Sequence, residues 1–371
     1  MAPTILVHPS PADFLTALAR AGPGADTVRT NLAIGPVFEI WLKQTIAPLA
    51  ASKPVEKDQT PTSTGEREKK PDEGTQVLVT VWEDDELQLI FTKLSLTGSR
   101  LVSPLPPSRL PSLTPLFPPL IAHLLTLHPF SLPEGPSLLR TIVGPDLLLV
   151  PFLSLWPHPH DPTPTLRVHA CSAITAPSPP AVDLPAGHSI ALVDIATVSD
   201  AALTALAHLT KGLYDGHSDV PQLNLDEAKA FLRRTVPDGA LWAYYAPPSS
   251  PGSEPLPVAF VNTGRPTLRT VAIRGVFVDP LHRRRGIAER SVGYVVRQYL
   301  SGPPLPYSLS VPSPPPPPFD PATKWGGKSE VCLSVEVSNS DARRVYERVG
   351  FVESVDTWAN YNLVGVEPGG W

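Results

Sequence analysis

The segment from residue 270 to residue 299 constrains the fold more than any other part of the sequence. It reads TVAIRGVFVDPLHRRRGIAERSVGYVVRQY, an apolar run followed by a proline, three arginines, a glycine and a second apolar pattern. After Gly286 the apolar residues recur at helical spacing, which predicts one buried stripe on a helix. The stripe consists of Ala288, Val292, Val295, Val296 and Tyr299. A strand that turns directly into a helix is a building unit of α/β folds.

The elements around this segment extend the α/β pattern across the second half of the chain. Amphipathic helices are predicted in DAALTALAHLTKGLYD and NLDEAKAFLRRTV, and strands in ALWAYYA, PLPVAFVNTG and LRTVAIRGVFV. Beyond the helix come a strand in VCLSVEV, a short helix in SDARRVYERV that ends at Gly350, and a last strand in DTWANYNLV. This order predicts an α/β fold, a mixed twisted sheet with flanking helices.

The first half of the chain, residues 1–190, is predicted to form a separate N-terminal α/β region before a domain of residues 191–371. Helices are expected in SPADFLTALARA and NLAIGPVFEIWLKQTIAPL, two strands in QVLVTVWE and LQLIFTKL, and one further helix near PPLIAHLLTL. Residues 51–75 offer charge, threonine and proline with little to bury, which predicts a disordered loop. Residues 302–328 form a proline-rich insertion. The elements of the first half allow a degenerate copy of the second, although no motif gives it a role.

Composition narrows the classes of function. A formal charge of -5 gives no general reason to expect nucleic acid or an anionic membrane as a partner. Two cysteines, Cys171 and Cys332, do not make a disulfide framework. The N-terminus lacks the pattern of a secretory signal, and the apolar run DLLLVPFLSLW is too short to span a bilayer. We therefore expect a cytoplasmic protein, with a nuclear location left open.

The turn between strand and helix has the chemistry of an anion site. The first amides of a helix have no partner within the helix, and with the helix dipole they suit a phosphate or a pyrophosphate. Gly286 permits close approach to the backbone, while Arg283, Arg284 and Arg285 supply donors for several phosphate charges. The alternative is a solvated basic loop at the start of a helix.

Two motifs around this turn resemble those of the GNAT acetyltransferase superfamily. The pattern V-x-P-x-x-R-x-x-G-x-A resembles the family's acyl-CoA motif, and its members here are Val278, Pro280, Arg283, Gly286 and Ala288. The pattern N-x-x-A-x-x-x-Y-x-x-x-G-F resembles the second signature, with Asn339, Ala342, Tyr346, Gly350 and Phe351. The resemblance covers about residues 200–363 and does not extend to residues 1–190.

The resemblance implies how acetyl-CoA would bind as the acyl donor, without a metal. The motif strand, near residues 270–278, would carry a bulge eased by Gly275 and diverge from the next parallel strand, near 331–337. The pantetheine arm would pair with the motif strand, and the pyrophosphate would rest on the turn. The residues expected at the donor are Val276, Phe277, Val278, Arg283, Arg284, Arg285, Gly286, Ile287, Ala288, Asn339, Ala342 and Tyr346.

The same resemblance suggests catalytic roles. Tyr346 matches the position that often protonates the leaving sulfur, although a buried aromatic is the alternative. The motif strand contains no acid where many relatives have a glutamate, so Glu336 on the neighbouring strand is the candidate base. A surface glutamate or a structural ion pair explains Glu336 equally well. Tyr244, Tyr245 and His282 remain open as bases, although packing in the loop is the preferred interpretation of His282. The backbone amide of Val278 is expected to stabilise the oxyanion.

These residues predict an N-acetyltransferase that moves an acetyl group from acetyl-CoA to a primary amine by direct attack in a ternary complex. A catalytically silent acyl-CoA-binding protein is one alternative. A proline-rich interaction protein is another, since PPPPP at residues 314–318 suits an SH3-like or WW-like module. The cluster of His158, His160 and Asp161 suggests a metal site, but without a second cluster at zinc spacing a polar loop is the preferred interpretation.

Overall fold

The structure is a computed structural model that describes residues 3–50, 75–94, 98–173, 183–194, 197–216, 222–236, 239–248, 250, 252–301 and 327–367. The chain divides into two compact units. The first unit comprises residues 1–169 and 355–371, and the second comprises 170–306 and 310–354. The predicted disordered loop (apart from Thr75), most of the predicted proline-rich insertion and the PPPPP run lie outside the described residues.

The first unit contains strands, helices and a long 3-10 segment. In chain order they are β1 (Thr4–Val7), α1 (Pro11–Arg20), α2 (Val28–Ala50), β2 (Gln76–Glu83), β3 (Glu86–Leu94), β4 (Ser99–Val102), a 3-10 helix (Pro107–Leu116), α3 (Phe117–Leu124), β5 (Thr141–Pro145) and α4 (Asp146–Leu155). Strands β1 to β4 pair antiparallel in sequence order, whereas β4 and β5 are parallel. The strand β6 (Leu166–Ala173) crosses the division between the units.

The second unit contains the elements that the sequence predicted, with one additional strand at the start. They are β7 (Ser189–Leu192), α5 (Asp200–Asp215), α6 (Leu225–Thr235), β8 (Leu241–Tyr245), β9 (Pro257–Gly264), β10 (Thr270–Val278), α7 (Ile287–Leu300), β11 (Glu330–Glu336), α8 (Ser340–Val349) and the start of β12 (Phe351–Asn362). Strands β7 to β10 pair antiparallel in order, and β10 pairs parallel with β11.

Helices cover both faces of the second unit's sheet. Leu206 of α5 and Leu232 of α6 share a buried cluster with Phe260 of β9. Val292 of α7 lies in a different cluster, with Ile273 of β10 and Leu333 of β11. Side chains on alternate positions of the same strands therefore enter different layers, as a sheet buried on both faces requires. This layering confirms the predicted mixed sheet with flanking helices.

Short local signals determine where several helices begin and end. The side chain of Asn224 caps α6 by accepting the amide of Glu227. The carboxylate of Glu227 in turn accepts the amide of Asn224 at 2.8 Å, which completes a capping box. At the end of α8, Gly350 adopts φ 107°, a left-handed conformation that glycine accepts without a Cβ clash. Helix α8 therefore ends at the glycine where the sequence predicted its end.

The two units repeat one order of elements. Each has a strand, two helices, three antiparallel strands, a helical crossover, a parallel strand and a further helix. The sheet pairings follow the same order in both, antiparallel up to the fourth strand and parallel between the fourth and fifth. This repetition supports the hypothesis that the first half is a degenerate copy of the second.

The boundaries differ from the sequence prediction in two ways. The structure divides the chain after residue 169, whereas the sequence suggested residue 190. The later part of β12 belongs to the first unit, where Trp358–Asn362 pairs antiparallel with Thr141–Pro145 of β5. The sequence prediction assigned this last strand to the second domain, because it follows that domain's helix directly. Within the described residues, no helix has both the length and the apolar character to cross a membrane.

Candidate functional site

The parallel strands β10 and β11 separate along their length. Their register runs from Thr270 opposite Glu330 to Ile273 opposite Leu333, and it ends there although both strands continue. Beyond this point Val276, Phe277 and Val278 line a cleft. The separation begins at a bulge, since the pairing of β10 with β9 shifts between Ile273 and Gly275. Both the bulge and the separation match the expectation from the sequence.

Two residues of the turn after β10 have positive φ angles. Arg284 has φ 62° and Gly286 has φ 71°, so both residues lie in the left-handed region. A backbone that mixes left-handed and right-handed residues directs successive N–H groups into one concavity. A non-glycine residue in that region costs about 1–2 kcal/mol, and such costs concentrate at functional sites.

The N-terminus of α7 leaves amides available at this turn. Gly286 is its N-cap and makes no side-chain cap hydrogen bond. The next three amides, those of Ile287, Ala288 and Glu289, precede the first amide that donates within the helix, that of Arg290 to the carbonyl of Gly286 at 3.1 Å. Arg290 stabilises the turn by donating to the carbonyl of Arg285 at 2.8 Å. The side chain of Arg290 therefore stabilises the turn. The amides at the start of α7 lie at the positive end of the helix dipole.

The cleft beside the turn has a volume of about 630 Å³ and contains residues of both sequence motifs. Its walls are β10, the turn, the start of α7 and one face of α8. The lining residues are Val276, Phe277, Val278, His282, Arg283, Arg284, Gly286, Ile287, Ala288, Glu289, Asn339, Asp341, Ala342, Arg344, Val345, Tyr346 and Arg348. We call this space the motif cleft.

The charge of the motif cleft is predominantly positive. Four arginines line it, against the carboxylates of Glu289 and Asp341. Both carboxylates are already paired, Glu289 with Arg348 at 2.7 Å and Asp341 with Arg344 at 2.8 Å. The excess of cations favours a ligand with several negative charges.

The three predicted arginines of the turn do not act alike. Arg284 lines the cleft and lies 3.7 Å from the carboxylate of Asp341. Arg283 donates to the carbonyl of Val278 at 3.1 Å, and its guanidinium lies over the ring of Phe277. Arg285 is not among the lining residues; its side chain donates to the carbonyl of Leu281 at 3.3 Å. Arg283 and Arg284 therefore both line the motif cleft, whereas Arg285 braces the turn.

Helix α8 supplies the opposite wall. Asn339 is its N-cap and accepts the amide of Ala342 at 3.1 Å. Tyr346 is half-buried, and its ring makes an edge contact with Phe351 at 5.8 Å between centroids. Tyr346 also borders a second cleft of about 780 Å³ on the other side of α8. Tyr346 therefore contacts Phe351 through its ring and also borders both clefts.

Sequence reasoning missed the charged face of α8. Asp341, Arg344 and Arg348 all line the motif cleft. They follow one another at intervals of three and four residues, so helical spacing places them on one face of the helix. This signal was present in the sequence, next to the positions that matched the family motif.

The candidate bases have different locations. Glu336 is half-buried at the end of β11 and lines neither cleft; its carboxylate accepts the hydroxyl of Ser338 at 3.4 Å. Tyr244 lies in the core, where burial raises the pKa of its phenol. Burial also raises the pKa of Tyr245, which lines neither cleft. Of these candidates, only His282 lines the motif cleft.

In the first unit, the crossover after β4 offers different chemical groups from the turn after β10 in the second unit. Its crossover after β4 reads SPLPPSRLPSLTPLFPPL, and Pro118 and Pro119 occupy the second and third positions of α3. Proline has no N–H, so this helix start does not offer the amides found at α7. Leu110, Leu113 and Leu116 of the 3-10 helix are buried in the core. A Cβ on Gly144 of β5 would lie 2.1 Å from the carbonyl oxygen of Leu101, so β4 and β5 remain in close contact.

The histidine cluster of the first unit packs against the end of the chain. His158 bonds the carbonyl of Val364 at 2.9 Å, and the ring of His160 lies against Tyr361. Asp161 accepts the amide of Thr163 at 2.8 Å. Among the described residues, no group of His, Cys, Asp or Glu has an arrangement that could hold a metal ion. The contacts of this cluster are those of a polar loop.

Comparison with solved structures finds similar folds. A Drosophila protein matches with a TM-score of 0.51 at 10% identity, over 98% of this chain and 100% of that chain. A GCN5-related N-acetyltransferase from Sphaerobacter thermophilus matches with a TM-score of 0.48 at 15% identity, over 100% and 98% of the two chains. A tandem GNAT protein from the clavulanic acid biosynthesis pathway has a TM-score of 0.45 at 13% identity, over 97% and 98%.

Sequence comparisons give no such match. No family model matches the chain, and no curated protein is significantly similar to it. At the identities of the solved structures, the similarity concerns the fold alone. The Drosophila protein thus shares the mixed α/β fold over nearly the whole of both chains.

Proposed function

We propose that this protein transfers an acetyl group from acetyl-CoA to a primary amine. The observation that carries the proposal is the motif cleft, where residues of both sequence motifs line one positive space at the uncapped start of α7. Neither the motifs nor the cleft alone separates this function from a solvated basic loop. Their coincidence favours the proposed function, because the amides and the cations suit the phosphate groups of acetyl-CoA and the separated strands suit its pantetheine arm.

Each part of the donor has a place in this arrangement. The pyrophosphate rests on the amides from Arg284 to Ala288, and Arg284 supplies a charge-assisted contact. The pantetheine arm lies along Val276–Val278, where β10 no longer pairs with β11. The arm replaces the missing strand partner there, so its amides gain backbone hydrogen bonds.

The amide of Val278 has the direction that an oxyanion donor needs. The next amide, that of Asp279, donates to Val258 of β9 at 2.9 Å. Because successive amides of an extended strand point to opposite sides, the amide of Val278 points away from β9. It therefore points to the side where the thioester would lie.

Direct attack requires a neutral amine and a proton for the departing thiolate. An alkyl amine has a pKa of about 10.4 and a thiol of about 8.5, so loss of the amine proton is the harder step near pH 7. Tyr346 is the proposed acid for the sulfur. His282, which lines the motif cleft, replaces Glu336 as the preferred proton acceptor, acting directly or through water.

The donor half of the proposal is tested with acetyl-CoA and two alanine variants. In Gly286→Ala, a Cβ must accommodate φ 71° and would lie 2.7 Å from a guanidinium nitrogen of Arg290. About 1–2 kcal/mol of strain then acts on the turn, and we expect acetyl-CoA affinity to fall about tenfold. Gly252→Ala is the matched control, since Gly252 has φ 83° and open space around it.

Isothermal calorimetry supplies the affinities, and release of free thiol on addition of a panel of amines tests transfer. No heat at millimolar acetyl-CoA with a folded sample would eliminate the proposal. Binding without turnover for any amine would leave a catalytically silent acyl-CoA-binding protein, the alternative that the absence of an acid on β10 favours.

A further inference from the structure

Arg274 has an unusual place in β10. The four residues before it are buried, and Arg274 is exposed. It is the additional residue of the bulge, since Ile273 pairs with Thr263 and Gly275 pairs with Asn262 on the neighbouring strand. A bulge redirects a side chain at the point where a strand stops pairing regularly. In β10 the redirected side chain is that of Arg274, whose guanidinium is always positively charged.

The face on which Arg274 leaves the sheet follows from its neighbours. Ile273 packs in the cluster that contains α7, and consecutive side chains of a strand leave on opposite faces. Arg274 therefore leaves on the face of α5. The bulge directs Gly275 to the same face, where a Cβ would lie 3.2 Å from Leu213 of α5 and 3.9 Å from Asn262. This face is opposite to the one on which α7 and α8 enclose the proposed donor.

Polar side chains on the α5 face of the sheet include donors and acceptors that make no hydrogen bond to any described residue. Within the described part of the chain, Arg274 makes no ion pair and no hydrogen bond, although five N–H donors are available. The side-chain oxygen of Asn262 is buried and has no hydrogen-bond partner. Ser334 follows Leu333, the register partner of Ile273, and its side chain is exposed. A cation, an acceptor and a hydroxyl thus lie close to the site where the strands separate.

From this arrangement we infer that the acceptor amine carries a carboxylate and that Arg274 binds it. The inference rests on the proposed function and adds the chemical class of the acceptor. The planar guanidinium matches a carboxylate with two parallel hydrogen bonds. Arg274 is a specificity-determining residue in this scheme and takes no part in proton transfer.

The test uses pairs of acceptors that differ in one group. The pairs are 6-aminohexanoate with 6-aminohexanamide, β-alanine with β-alaninamide, and tripeptides that begin with glutamate or with glutamine. For the wild type we expect kcat/KM for the carboxylate member to exceed that of the amide member by about tenfold to a hundredfold, the usual effect of a hydrogen bond to a charged group.

Variants assign this preference to the residue. Arg274→Gln should abolish the preference by raising KM for the carboxylate member, while the affinity for acetyl-CoA stays as in the wild type. Arg274→Lys should retain part of it, since the charge remains without the planar fork. Arg234→Gln is the control; Arg234 is an exposed arginine in the last turn of α6. It should leave the preference unchanged.

The outcomes separate this inference from the proposed function. Turnover with no preference for the carboxylate member, or a preference that survives in Arg274→Gln, would overturn the inference and leave the acetyl transfer standing. Absence of acetyl-CoA binding by calorimetry on the same samples would overturn both.

Discussion

Tyr346 belongs to the packing of α8 and to the motif cleft at once. The ring contacts Phe351, and the residue also lines the cleft on the side of the turn. A phenylalanine would preserve the ring contact and remove only the hydroxyl. The substitution therefore separates the chemical role of Tyr346 from its structural role.

In Tyr346→Phe we expect kcat for thiol release to fall about a hundredfold, because the departing thiolate loses its proton donor. The affinity for acetyl-CoA should change little. The control is Tyr294→Phe, since Tyr294 lies on α7, contacts Trp242 and does not line the motif cleft. Stopped-flow thiol release from pH 6 to pH 10 supplies the rates. An unchanged rate across that range would remove Tyr346 from the mechanism.

The elements of the two units differ most where the fourth and fifth strands meet. In the second unit β10 and β11 separate and a cleft opens, whereas in the first unit Gly144 lies directly against the backbone of Leu101. Backbone atoms have little freedom to move away from an added methyl group. The absence of a Cβ at Gly144 thus keeps the first unit's strands together.

Gly144→Ala should consequently destabilise the first unit by about 3 kcal/mol or more, the upper range of overpacking effects. Gly24→Ala in the same unit is the control, because a Cβ there would meet nothing within 4 Å. Urea unfolding followed by tryptophan fluorescence measures both variants. Equal midpoints for Gly144→Ala and the wild type would contradict the close contact of β4 with β5.

The elements also show what a sequence reveals about a fold. The strands of the second unit were predictable because β8, β9 and β10 are apolar runs bounded by turn residues, and the caps at Asn224 and Gly350 have distinctive chemistry. Strand β5 escaped prediction because all five of its residues are buried, so no alternation of polar and apolar residues marks it. The pairing of β12 with β5 joins residues far apart in the chain, and no local pattern encodes that choice of partner.

The residues of the candidate site also differ in how far the sequence alone predicts them. The glycine turn and the second motif form contiguous patterns, and the structure brings them into one cleft. The location of Glu336 depends on how the end of β11 is oriented, which a sequence pattern does not report. The unpaired state of Arg274 depends on the absence of neighbours, so only the folded chain reveals it.

The whole molecule repeats one order of elements, and the proposed donor site lies in the second copy. The second unit offers free amides at a helix start, whereas the first offers prolines and a filled core at the corresponding crossover. We therefore expect each chain to bind a single acetyl-CoA. The first unit would contribute structure and no donor site of its own.

Hydrogen exchange of the full chain, with and without saturating acetyl-CoA, tests this most directly, because it reports on the amides themselves. We expect slower exchange at residues 284–289 when acetyl-CoA is present, and no change in the crossover of residues 103–124 in the first unit. Unchanged exchange at residues 284–289 under saturating acetyl-CoA would contradict this expectation, since amides that hold a pyrophosphate must exchange more slowly.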